Sequence, residues 1–198
     1  MTGRIHHRPM SRGSAFFDEI TGGTDPAMLR EAGDLAATIL VRGAREADDP
    51  ALAERIVHLA ETEGLETLAE VWSGAPADTL AGSLWRLFLL RQWVYADPDR
   101  VATEFEAGQR RADVARVVAG VADPPGPDEL RAMVDDVLRG ISRGDFAVTL
   151  FRAAAFARIV AAGRAEMGES SHEEISRMLV LSEQLEASGH GEIKDTLG

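Results

Sequence analysis

Two stretches of the chain, Leu80 to Tyr95 and Phe146 to Ala162, are apolar on nearly every side of a helix. No other feature restricts the fold as much, because a helix without a polar face has to be enclosed by other elements. The first stretch holds Trp85, Phe88, Trp93 and Tyr95, with Trp72 shortly before it; the second holds Phe146, Leu150, Phe151, Phe156 and Ile159. Neither reads as a membrane span. Arg86, Arg91 and Gln92 interrupt the first, and Arg152 and Arg158 the second, well inside the ~20 apolar residues that a crossing needs.

The segments around these two are punctuated as helices. Asp25-Pro26, Asp49-Pro50 and Asp97-Pro98 each set a capping carboxylate before a proline, whose missing N–H and fixed φ suit the first helical position. Asp78 after Pro76, Pro127-Asp128-Glu129, Asp145 after Gly144, and Ser171 mark further starts. Helices therefore begin about every 20 to 30 residues. Leu52, Ile56 and Leu59, and Leu130, Val134 and Val137, recur at helical spacing, and no clean period-two alternation bounded by turn dipeptides reads as a strand. The expectation is an all-α fold: a single compact multi-helix bundle or short helical-hairpin array of about seven to nine helices, with the two apolar helices at its centre.

Charge divides the chain into three parts. Residues 1–23 form a basic arm with Arg4, Arg8 and Arg12, ending in the apolar Phe16, Phe17 and Ile20. Residues 24–167 form the helical body, with a corner expected at 123–127, where Pro124-Pro125-Gly126-Pro127 opposes any helix. Residues 168–198 carry seven acidic residues against Arg177 and Lys194. Ser171 and Glu174 form a capping box ahead of Ile175, Met178 and Leu185, so this part starts as a helix. After Ser188 its Gly-rich, polar composition predicts fraying.

Several functions are disfavoured by composition. Without cysteine there is no disulfide framework, thiolate metal site or thiol nucleophile, which is compatible with a cytoplasmic location. No secretory signal follows Met1, because the first residues lack an apolar run. A net charge of −12 repels phosphate backbones and anionic lipid. Membrane binding is therefore not expected, and nucleic acid is expected only through the arm. Lys194 is the sole lysine among 21 basic residues, a bias that suggests a GC-rich bacterial coding sequence and carries no functional weight.

No motif assigns catalysis. His6, His7, His58, His172 and His190 form no His-Glu-x-x-His pair, so no metal or cofactor is expected. Gly22-Gly23-Thr24 lacks the preceding strand and the lysine of a phosphate loop. The unusual charges are Arg86, Arg91, Arg152 and Arg158 on the apolar helices. Converging on one cavity, they would clamp an anionic ligand bidentately; otherwise they pair with carboxylates such as Glu66, Glu70 or Glu104. The leading expectation is a non-enzymatic helical interaction protein, an adaptor or regulator. It would bind a protein partner or form a homodimer through its ends, with Arg4, Arg8, Arg12, Phe16 and Phe17 as partner-binding residues. The alternative is a helical-bundle small-molecule binding protein or enzyme, in which Arg86, Arg91, Arg152 and Arg158 hold an anionic ligand.

Overall fold

The structure, a computed structural model, describes residues 26–42, 65–110, 126–138 and 146–194. These residues form seven α-helices and no strand: α1 (Pro26–Arg42), α2 (Leu65–Trp72), α3 (Leu80–Ala96), α4 (Pro98–Gln109), α5 (Pro127–Leu138), α6 (Phe146–Met167) and α7 (His172–Ile193). The fold is an all-α multi-helix bundle.

The local causes of these boundaries are visible in the caps. Asp97 accepts a hydrogen bond from the Arg100 backbone N–H (3.2 Å) and Pro98 follows at the first helical position, so α4 starts where its capping pair predicts. The Ser171–Glu174 capping box is complete at the head of α7. Between α6 and α7 the chain reverses at Gly168, whose φ of +69° only glycine adopts without strain. The start of α3 differs from expectation. Its cap is Thr79, whose Oγ1 accepts from the Gly82 N–H (3.0 Å), whereas Asp78 is exposed. The hydroxyl also donates to the Pro76 carbonyl (3.0 Å), which locks the turn and makes Thr79 the better placed cap.

The two apolar helices are core elements that share one hydrophobic cluster, and each gathers its own neighbours. Each is the spine of its own layer. α3 packs against α1, α2 and α5, whereas α6 packs most extensively against α7 and α4; α3 and α6 touch only briefly. The first layer is filled by large side chains such as Leu40, Trp72, Leu84 and Leu87. The Trp72 indole N–H donates to the Gly33 carbonyl (3.0 Å), so the one polar atom of that buried ring is satisfied.

Layer two is held by small residues. A Cβ on Gly163 would lie 1.7 Å from the Glu104 carbonyl oxygen, and one on Gly108 would lie 1.9 Å from that of Ile159. α4 and α6 therefore approach backbone to backbone, which no larger residue permits at these positions. On the other side of α6, Ser182 Oγ donates to the Ala154 carbonyl (2.9 Å) and the Phe151 ring covers Gly189. Met178 and Leu185 are buried against this face, so they serve the chain's own core. α6 is long and apolar enough to cross a membrane, but 67% of its most apolar window is buried in the protein.

The end of α7 corrects the predicted fraying. The helix continues past Ser188 to Ile193. Ser188 Oγ donates to the Ala77 carbonyl (2.8 Å), Gly189 is buried under Phe151, and Glu192 receives both terminal nitrogens of Arg42 from α1. These tertiary contacts hold a turn whose local composition opposes it.

Candidate functional site

The cleft between α3 and α7 has a volume of about 700 Å³. Arg86 Nε donates to Gln184 Oε1 (2.7 Å) at one end. At the other, Arg164 stacks on Trp93 of α3 (4.7 Å to the ring centroid) and donates to the Glu174 carbonyl of α7 (3.4 Å). Rising numbers on α3 thus meet falling numbers on α7, and the two helices form antiparallel rails. Trp85, Leu89 and Trp93, each one turn apart, line the α3 rail; Arg177, Val180, Leu181 and Gln184 line the α7 rail. Leu89 is 41% exposed and Val180 46%. An apolar trough with open lips results.

Its basic end is built on a buried charge network. Glu104 of α4, 1% exposed, accepts from Arg100 Nε (2.8 Å) and Arg164 Nε (2.9 Å). One carboxylate serves two guanidiniums, leaving a positive charge in the floor. The Glu104 hydrogen bond, reinforced by its charge, holds Arg100 above its usual pKa. Arg100 also donates to Ser170 Oγ (3.3 Å). The carboxylates on the α7 rail are already engaged. Glu174 accepts from the Ser171 backbone N–H (2.8 Å) and Oγ (2.9 Å), which holds its pKa below the ordinary carboxylate value, and Glu173 pairs with Arg177.

The arginines singled out in the sequence separate here. Arg91 pairs with Asp135, whose other oxygen accepts from Tyr95 Oη (3.1 Å). Arg152 pairs with Glu129, and Arg158 with Glu186 (2.6 Å) and Ser182 (3.2 Å). These three do not line the cleft. Arg86 does, and among the described residues it donates to neutral oxygens only, those of Gln184 and Gly82 (2.8 Å). Burial pushes its guanidinium below the usual pKa, with Asp78 opposing. The structure therefore does not bring the four together on one cavity. Arg4, Arg8, Arg12, Phe16 and Phe17 lie outside the described residues.

Arg100, Arg164 and Arg177 were not among the predicted site residues. The Arg100–Glu104 spacing on the Asp97-Pro98 helix was the available signal for the first, and the i, i+4 row of Trp85, Leu89 and Trp93 for the trough. A second cavity, of about 740 Å³, lies against Asp78, Glu183, His190 and Lys194. Among the described residues, no three His, Asp or Glu side chains gather as a metal-binding group. Compared with family models, curated proteins and solved structures, the chain matches none of them.

Proposed function

We propose that the chain is a non-enzymatic helical interaction protein that docks a segment of a protein partner in the α3–α7 cleft. The observation that carries this reading is the exposure of Leu89 and Val180 on facing rails above half-buried Trp85 and Trp93. Apolar side chains gathered at the lips of an open trough gain from being covered, and an apolar trough running along two helices suits a partner segment. The small-molecule alternative keeps support at Arg86 alone, because Arg91, Arg152 and Arg158 are engaged by acids of the fold.

A photo-crosslinking residue at position 89 tests this. In native extract it is expected to give a discrete adduct that Val180→Asp removes and that the same probe at Val148, outside the cleft, does not give. The captured protein, once purified, must bind the chain and must not bind the Val180→Asp variant. Equal labelling from positions 89 and 148 would end the proposal.

A further inference from the structure

We infer that the partner segment is an acidic amphipathic helix carrying two carboxylates two turns apart, flanking an apolar pair. This rests on the reading that the cleft is a docking site, and it adds the chemistry of the occupant.

The trough's length sets the first part. Trp85 to Trp93 spans about 12 Å of helix axis, or slightly over two turns. A helix lying along it presents residues i, i+3, i+4 and i+7 to the rails. Leu89 and Val180 stand midway, so the apolar residues belong at i+3 and i+4.

Charge sets the rest. The protein as a whole carries −12, so at long range its net charge repels an acidic partner. Among the described residues the cleft departs from this: Arg86, Arg100, Arg164 and Arg177 line it against Glu173, Glu174 and the buried Glu104 that Arg100 and Arg164 share, a local excess of positive charge. Glu174 is held by its capping box, and the Arg177–Glu173 pair is largely exposed, 71% and 74%, so it competes weakly for Arg177. Among the described residues, Arg86 has only neutral acceptors. A half-buried guanidinium in that position gains a charge-assisted, bidentate partner when a carboxylate arrives. Gln184, which Arg86 touches, and Arg177 are seven residues apart on α7, about 10 Å along the rail. That is the separation of side chains i and i+7 on a docked helix.

Three fluorescein-labelled helical peptides of 18 residues, with Leu at i+3 and i+4 and Glu, Gln or Lys at i and i+7, would be titrated by polarisation against the full chain. The Glu peptide is expected to bind about tenfold or more tighter than the Gln peptide, with the Lys peptide weakest. Arg86→Glu with Arg177→Glu should reverse the order. Arg86→Gln with Arg177→Gln, a milder change, should bring the Glu and Gln peptides to equal affinity. Circular dichroism checks that each variant is folded. An order unchanged by either double variant overturns the inference. Equal binding of all three peptides, abolished by Leu89→Asp, overturns the acidic partner while leaving the docking site standing. Binding of dodecanoate but of no peptide would assign the cleft to a small anionic amphiphile. Binding of the Glu peptide only after residues 1–25 are deleted would assign it to this chain's own N-terminal segment. Either of these last results also overturns the inference.

Discussion

Arg42, the last residue of α1, grips Glu192 in the last turn of α7 with both of its terminal nitrogens across 150 positions of sequence. Glu192 is buried, its side chain 7% exposed, whereas that of Arg42 is 30% exposed. Removing the arginine leaves a carboxylate in a site that water barely reaches. Arg42→Met should cost about 2 kcal/mol, below the range for fully buried pairs because Arg42 is partly solvated. The double variant Arg42→Met, Glu192→Leu should recover most of it. Urea denaturation of the four proteins checks the cycle, and amide exchange should show residues 189–193 opening in the single variant.

Glu104 holds the basic end of the cleft together, and its loss should be felt twice. Glu104→Ala leaves the buried Arg164 without its acid partner, at a cost of about 3 kcal/mol. Arg164 should also lose its fixed position over Trp93. In a Trp85→Phe background, where buried Trp72 is shielded, quenching of the tryptophan emission by neutral acrylamide reports access to the Trp93 ring and should rise in the variant under conditions where it remains folded.

Gly163 should reverse the usual effect of replacing glycine in a helix. Alanine in a helix interior is ordinarily favoured over glycine by roughly 1 kcal/mol. Here its Cβ would sit 1.7 Å from the Glu104 carbonyl oxygen, and backbone on both sides gives it nowhere to go. Gly163→Ala should destabilise by about 2–3 kcal/mol or more. A variant with an unchanged or higher denaturation midpoint would show that α4 and α6 are not packed this closely.

The Ser171–Glu174 box makes α7 sensitive to acid in one direction. Backbone and side-chain hydrogen bonds from Ser171 hold the Glu174 pKa below its ordinary value of 4.5. The folded state therefore binds fewer protons there than the unfolded state does. The box contributes fully above that ordinary value and loses its contribution as pH falls through the depressed one. The difference in denaturation midpoint between the wild type and Glu174→Ala should be present at pH 7 and shrink at pH 3.

Much of this architecture was legible locally. Asp97-Pro98 and Ser171–Glu174 predict their helix starts because a cap depends on residues within one turn, and the apolar runs of α3 and α6 predict burial for the same reason. What escaped depends on partners distant in sequence. Nothing near Gly189 shows that Phe151 will cover it, so the last turn of α7 looks frayed. Gly108 and Gly163 read as weak helix formers until the opposing backbone is placed against them. Among the four arginines flagged, the sequence offers no way to separate Arg86 from Arg91, because Asp135 and Gln184 reach them only through the fold. Trp85 and Trp93 look like core aromatics, and their placement on a rail follows from the open cleft between α3 and α7.

That cleft has a thermodynamic consequence. α4, α6 and α7 are locked by backbone contacts and small residues, while α3 belongs to the other layer; the cleft follows the seam between the two. An occupant would bridge both slabs and act as a staple across the joint. It would stabilise the folded chain as a whole, by an increment that grows with its concentration over its dissociation constant. A rising melting temperature would thus signal a true occupant before its identity is known, and slower amide exchange along the seam would show where it sits.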